Sequence, residues 1–328
     1  MVSISPSARS SDKTSGYPVQ PVTHALTVDV EDYFHVAALA SVISRDDWAE
    51  LPSRVEHNTQ RLLSIFAETG HKGTFFVLGW VAERFPNLVR DIHAAGHEIA
   101  SHGYSHQLIY NQTEATFRAE TRHAKALLED QIQQPVTGYR AASYSITQRS
   151  LWALEVLAEE GFLWDSSIFP IHHDRYGIPG SPRSPYRIQT RNGAVLTEFP
   201  LTTASWLGMS VPVAGGGYFR QFPYPLFRSL FARASLGGQR PQMFYLHPWE
   251  LDPDQPRFAG TPWLSRFRHY RHLAECEDRL RRLLKDFRFA SVSESFAQAD
   301  TGPLVTVSEL GMAPRRGRAT GRQPQSAG

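Results

Sequence analysis

From His24 to Val292 the chain repeats one pattern: a short apolar run that ends in ionisable residues, then a segment with apolar positions at helical spacing. Residues 24–30 are near-continuously apolar and run into Asp29, Glu31 and Asp32. Val55, Leu62, Ile65 and Phe66 then share one helical face, and Gly70 stops that segment. Residues 73–79 (GTFFVLG) predict a buried strand, and Pro86 and Gly96 bracket a helix carrying Leu88, Val89 and Ile92. A short strand is expected over 97–101. Asn111 with Glu114 resembles a capping box opening a helix to about Asp130. Residues 136–140 predict another strand, and Thr147 caps a helix with Leu151, Leu154 and Leu157 that ends at Gly161. Further strands are expected near Phe162 and over 195–199, 242–247 and 288–292, with one long helix over about 266–287.

Strands alternating with helices in this way argue for parallel strands joined by right-handed crossovers. In such architectures sites form where the strands end, so the residues that follow each apolar run are the ones that matter. Residues 201–240 break the rhythm. They hold Gly215, Gly216 and Gly217 and the aromatics Trp206, Tyr218, Phe219, Phe222, Tyr224 and Phe227. This reads as an insertion over one face of the sheet or barrel, offering either stacking faces for sugar rings or a packing layer.

Asp29, Glu31 and Asp32 place three carboxylates within four residues, and they repel one another unless a cation or a base-like role accommodates them. On a strand, Asp29 and Glu31 face the same side. The run through Ile99 leads into Ser101-His102-Gly103-Tyr104-Ser105-His106. His102 and His106 have the i, i+4 spacing that on a helical turn aims two imidazoles at one metal ion. Two imidazoles and one carboxylate leave open positions on a divalent ion, which suits hydrolysis. His97 is either a supporting group or a plain strand residue. Arg140, Asp165 and His247 each close an apolar run. The apolar collar of His247 (Leu246, Pro248, Trp249) lowers its pKa, and a carboxylate such as Asp165 raises it, so titration near neutrality is expected.

Other chemistries are excluded. There is no G-x-S-x-G elbow, P-loop or dinucleotide glycine fingerprint. The single cysteine, Cys276, permits no cysteine-cluster metal site, and its acidic neighbours disfavour a nucleophilic role. Lys+Arg total 34 against 32 Asp+Glu, and Arg315, Arg316, Arg318 and Arg322 crowd into the tail, so no nucleic-acid face spans the body. No apolar stretch approaches the roughly 18 residues of a membrane span, and residues 1–21 lack the apolar core of a secretory signal. A cytoplasmic location, near the inner face of the membrane, and disordered ends (1–22 and from about 313) are expected.

The ordered set Asp29-x-Glu31-Asp32, His102-Gly-Tyr-Ser-His106, Gly138-Tyr-Arg140, Asp165-Ser-Ser and Leu246-His247 resembles the polysaccharide deacetylases with the NodB-homology domain, carbohydrate esterase family 4. DVEDYFHV and HPWELDPDQPR are similar to the subgroup of exopolysaccharide clusters with exosortase-type sorting, which carries a C-terminal extension of uncharacterised function, here from about residue 183. The resemblance implies a distorted, incomplete (β/α) barrel of about seven parallel strands spanning 23–292. It implies a hydrolase that removes N-acetyl groups from amino-sugar oligo- or polysaccharides with one divalent ion, zinc by the family's habit. Carried over, Asp29 resembles the catalytic base, His102 and His106 metal ligands, Arg140 the arginine orienting the base, His247 the general acid and Asp165 the carboxylate tuning it. The family's adjacent aspartates are split here by Val30. The third ligand is therefore Glu31 by the same-face argument, or Asp32. Ala142 stands where the family's arginine motif has proline. An allantoinase-like hydrolase of small amides and a non-catalytic carbohydrate-binding component are the competing readings.

Overall fold

Strand β1 (Thr23–Val30) is buried along almost its whole length and is the hub of the sheet. The computed structural model describes residues 22–173, 175–206, 209–235, 240–297 and 301–310. The ends expected to be disordered fall outside these residues except at their inner margins. After β1 come α1 (Val55–Thr69), β2 (Thr74–Val77), α2 (Gly79–Arg84), α3 (Pro86–Ala94), β3 (Glu98–Ser101), α4 (Glu114–Ile132), β4 (Gly138–Tyr139), α5 (Trp152–Glu159) and β5 (Trp164–Asp165). A hairpin of β6 (Tyr186–Gln189) and β7 (Val195–Glu198) follows, with β7 parallel to β5. Then come a separate hairpin of β8 (Thr203–Trp206) and β9 (Met209–Pro212), α6 (Gly216–Gln221), α7 (Tyr224–Ala234) and β10 (Met243–Leu246). The rest comprises α8 (Trp263–Tyr270), α9 (Cys276–Asp286), β11 (Arg288–Ala290), α10 (Val292–Phe296), β12 (Leu304–Thr306) and α11 (Val307–Leu310).

The sheet order is β10-β1-β2-β3-β4-β5-β7-β6-β12, with β11 also on β1. The seven neighbours from β10 to β7 run parallel, as the alternation requires. Parallel strands covered by helices on a face must be apolar throughout, and every residue of β2 and β10 is buried. The family's barrel-like α/β architecture is therefore present, and all these strands end on the same side.

Several boundaries differ from expectation for identifiable reasons. Thr113, not Asn111, caps α4 by accepting the Thr116 N–H, because Asn111 is spent in a 3-10 turn. Thr147 accepts the Arg149 N–H, outside the helix, and α5 begins at Trp152. The long helix over 266–287 is two helices, since Arg271 is extended and His272 left-handed (φ 56°) between α8 and α9.

Most of the inserted aromatics form a packing layer. Phe219 and Phe227 are buried with ring centroids 5.0 and 6.1 Å from Phe244 of β10. Full burial of such a ring contributes about 1.5–3 kcal/mol. Gly215 makes the approach possible: its φ is 135°, and a Cβ there would sit 1.9 Å from the Tyr245 carbonyl oxygen. The insertion is thus clamped to β10 two residues before His247.

Candidate active site

Asp29 lies near the end of β1 and Glu31 just past it, both almost fully buried. His102 and His106 come from the loop after β3, not from a helical turn. Gly103 (φ 72°) and His106 (φ 51°) are left-handed, and these two kinks fold the loop so that the imidazole centroids are 5.5 Å apart. His102 Nδ1 lies 2.9 Å from the Arg140 carbonyl, an acceptor that assigns the proton to Nδ1 and leaves Nε2 a lone pair. His106 Nε2 stands 2.7 Å from Glu31 Oε2, and that buried oxygen has no hydrogen bond of good geometry. One oxygen of Glu31 and one nitrogen from each histidine all fall within 4.8 Å of one another. Converging lone pairs around an orphaned carboxylate oxygen fit a divalent ion with three protein ligands and an open position.

The protonation states agree with that fit. Burial pushes the His102 pKa down to about 4 against the opposing charge of Asp29, so the ring is neutral as a ligand must be. Burial alone would raise the Glu31 carboxyl. The charge and contact of His106, with the charge of His247, hold it well below the usual carboxylate range, so the carboxylate is ionised.

Asp32 is not in this set. Its carboxylate accepts from Ser53 Oγ (2.6 Å) and from the backbone N–H groups of Arg54 (2.8 Å), Val55 (3.1 Å) and Tyr33 (3.0 Å). It tethers the start of α1, while the His35 Nδ1 accepts the Asp32 N–H and turns the chain away. Asp32→Ala should therefore cost about 1–3 kcal/mol of stability, read as a lower Tm, and leave divalent-ion binding unchanged. Loss of the ion at unchanged Tm would return Asp32 to the ligand set.

Arg140 is completely buried against Asp29. Its Nη1 donates to Asp29 Oδ1 (2.6 Å) and Thr27 Oγ1 (2.9 Å), and its Nη2 and Nε donate to Ser166 Oγ and O. In the loop after Arg140, Ser143 and Tyr144 are left-handed, and the Tyr144 hydroxyl reaches Asp29 Oδ2 at 3.4 Å. His247 faces the same carboxylates from β10: its Nε2 is 3.9 Å from Asp29 Oδ2 and 3.5 Å from Glu31 Oε1.

The carboxylate beside His247 is Glu250, not Asp165. Glu250 Oε1 lies 2.8 Å from His247 Nδ1 and also accepts the His247 N–H. Burial lowers the His247 pKa, but the Glu250 hydrogen bond and charge, with the charges of Glu31 and Asp29, outweigh it and push the pKa up to about 9, above the neutral value expected. Asp165 instead accepts from Ser167 Oγ (2.6 Å) and sits in register with Glu198 of β7. Burial raises both carboxyls, and the charge of Asp165 pushes Glu198 higher still, so the pair retains a proton. Ser166 and Ser167 hold Arg140 and the Ala141 N–H, so Asp165 supports the arginine loop. His97 is structural, accepting the Gly73 N–H between Phe66 and Phe75. Burial also pushes the Cys276 thiol pKa up.

The sequence does carry a signal for Glu250: H-P-W-E puts proline at the first position of a turn and an acid three residues after the histidine, which forms a capping box. Glu198 has none, because only the pairing of β7 with β5 brings it to Asp165.

Asp29, Glu31, His102, His106 and His247 line a cleft of about 220 Å³ walled by Tyr144, Tyr176, Tyr245 and Trp249, with Arg268 also in its lining. Trp249 stacks on His247 at 5.1 Å. A larger cavity, about 960 Å³, lies at the other end of β1 beside Val22 and Thr23.

A family profile described as polysaccharide deacetylase matches residues 42–159, and a domain of unknown function (DUF3473) matches 166–297. The chain is 26% identical over 147 residues to a peptidoglycan deacetylase of Helicobacter pylori, covering 45% of this chain and 46% of that protein. It is 36% identical over 70 residues to a peptidoglycan-N-acetylglucosamine deacetylase of Bacillus cereus, covering 21% and 26%. The matches thus span less than half the length of these curated relatives. The solved structure of a Mycobacterium smegmatis protein bearing a polysaccharide deacetylase name superposes with TM-score 0.57 at 24% identity, over 89% of this chain and 93% of that one. One from Pseudomonas aeruginosa PAO1 under the same kind of name gives 0.52 at 17%, over 88% and 89%. Fold, motifs and profile together define a polysaccharide deacetylase domain. That domain is of the NodB type, carbohydrate esterase family 4, and the DUF3473 match that follows it fits the exosortase-associated subgroup.

Proposed function

We propose that this protein is a metal-dependent hydrolase that removes N-acetyl groups from amino sugars of an exopolysaccharide or its biosynthetic precursor, on the cytoplasmic side. The observation that carries the reading is the placing of Asp29 and His247, 3.9 Å apart, beside the Glu31–His102–His106 set. A base and an acid flanking a cation site are what amide hydrolysis requires. Names of relatives support the acetylated-sugar class, since both are peptidoglycan deacetylases.

A divalent ion held by Glu31, His102 and His106, zinc by preference for imidazole and carboxylate, would supply Lewis-acid polarisation of the acetyl carbonyl. The chain's own residues do the rest. Arg140 fixes the Asp29 carboxylate through Oδ1, leaving Oδ2 to take a proton from the attacking water. As the C–N bond breaks, His247 Nε2 gives its proton to the departing sugar nitrogen, while Glu250 holds the ring at Nδ1. Water adds across the amide, and acetate and a free amino sugar leave. Tyr144, Tyr176 and Trp249 offer apolar faces to a sugar ring and its acetyl methyl.

The test is acetate release from N-acetylated oligosaccharides, run beside the ring-opening of allantoin-type cyclic amides. Release from the sugars alone is expected. Turnover of the cyclic amide alone would favour the small-amide hydrolase, and no turnover of either would favour a binding component.

A further inference from the structure

We propose that Arg220, supplied by the DUF3473 half of the chain, is the positioning residue that sets His247 through Glu250; this rests on the deacetylase reading. Arg220 is 1% exposed and comes from α6 of the insertion. Its Nε donates to Glu250 Oε2 at 2.6 Å, while Glu250 Oε1 takes His247 Nδ1 at 2.8 Å. The two carboxylate oxygens are thus divided between one guanidinium and one imidazole. Arg220 Nη1 donates to the carbonyls of His269 and Arg271 and Nη2 to that of Arg268, so four of the five N–H donors are used. A charge this deep persists only when paired and hydrogen-bonded throughout. A lysine offers a point charge without the planar fork. The glycines at 215 and 216 set α6 against β10, which brings Arg220 to this depth. The inserted segment therefore completes the acid side of the site as well as covering the sheet.

Arg220→Met should lower kcat about 10–100-fold with KM unchanged, below or at the low end of losing the acid itself, and Arg220→Lys should restore part of it. In a His247→Ala background the same substitution should have no further effect on kcat, which a purely structural role would not produce. Independently of any substrate, the downfield His247 Nδ1–H proton resonance should disappear in Arg220→Met and return in Arg220→Lys. If Arg220→Met does not fold, Glu250→Gln keeps the volume and should give the same kcat loss and the same missing resonance. An unchanged kcat and resonance in the folded variant overturn the proposal. A wild-type protein that releases no acetate yet shows the Arg220-dependent resonance would sink the deacetylase reading instead.

A separate observation points to α8 as a docking face for an anionic lipid surface. Trp263, Leu264 and Phe267 are 77%, 40% and 42% exposed on this one helix. At about 100° per residue they form one outward sector, Arg266 and Arg268 flank it, and buried His269 lies opposite. Arg257, Arg266, Arg268 and Arg271 are exposed and make no ion pair with a carboxylate among the described residues. Apolar side chains flanked by unpaired arginines match the boundary of an anionic bilayer. Arg268 also lines the cleft, so docking would set the mouth beside the lipid.

The full chain should sediment with phosphatidylglycerol vesicles, less so at high salt, and not with phosphatidylcholine. Arg266→Gln should weaken this about fivefold, the effect of one arginine at such a surface, and Trp263→Ser with Phe267→Ser should abolish it. Binding that survives the double substitution would place the contact elsewhere, for example on the arginine-rich tail. Binding of the same face to an acidic polysaccharide, without any to vesicles, would assign it to polymer; either result overturns the lipid proposal.

Discussion

Asp29→Asn should lose turnover by about 10²–10⁴-fold while binding the divalent ion as the native protein does. Asp29 is outside the ligand set, and its Oδ1 is committed to Arg140. The isosteric amide keeps a hydrogen-bonding oxygen for Arg140 but cannot take a proton from water. Metal content by elemental analysis and acetate release on one preparation separate the two roles. A parallel fall in both would make Asp29 mainly a ligand. The substitution also removes the negative partner of a buried guanidinium, so a lower Tm is expected alongside the kinetic loss.

His247→Ala should reduce turnover about 10²-fold or more, again without loss of the ion. The sign of its pH dependence follows from the raised pKa. The donor is protonated below about 9, so activity should hold through neutrality and fall as pH climbs through that region. A cation on Glu31 cancels part of the charge that raises the histidine, so the alkaline limb of the metal-loaded enzyme should lie below about 9. The limb should vanish in His247→Ala. In Glu250→Gln it should move to lower pH, because burial is then opposed by less negative charge. Asp165→Asn should leave it in place, since Asp165 faces Glu198 and Ser167 and not the histidine. A native alkaline limb in Glu250→Gln would contradict the pairing, and a shifted limb in Asp165→Asn would restore Asp165 as the tuning group.

How much of this was legible in the sequence depended on whether a residue's partner lay nearby in the chain. Strand ends were legible, because an apolar run must stop where polar groups begin, and Asp29, His102, Arg140 and His247 all sit at such stops. The i, i+4 histidine spacing singled out two rings that do meet, but for a helical reason that does not operate: left-handed residues in a loop bring them together. Glu31 and Asp32 differed only by strand alternation. That argument favoured Glu31, and the start of α1 claims Asp32. Asp165 was misassigned because a carboxylate after a strand has no visible partner until sheet order is known, and β7 delivers Glu198 to it. Arg220 was invisible in a segment whose helices and glycines gave no period, and whose aromatics suited sugar stacking and packing equally. The break at His272 was likewise hidden, because Phe267, Tyr270, Leu273, Leu280, Leu283 and Leu284 keep an apolar face across it.

The most direct measurement is acetate release before and after chelation, with metal content followed on the same sample. The native protein should hold about one divalent ion, lose both ion and activity on chelation, and recover both when one equivalent of zinc is returned. His102→Ala should neither bind the ion nor respond to its return, because it removes one of the three proposed ligands. Undiminished acetate release from protein stripped of metal, or full stoichiometric binding by His102→Ala at native affinity, would contradict the account.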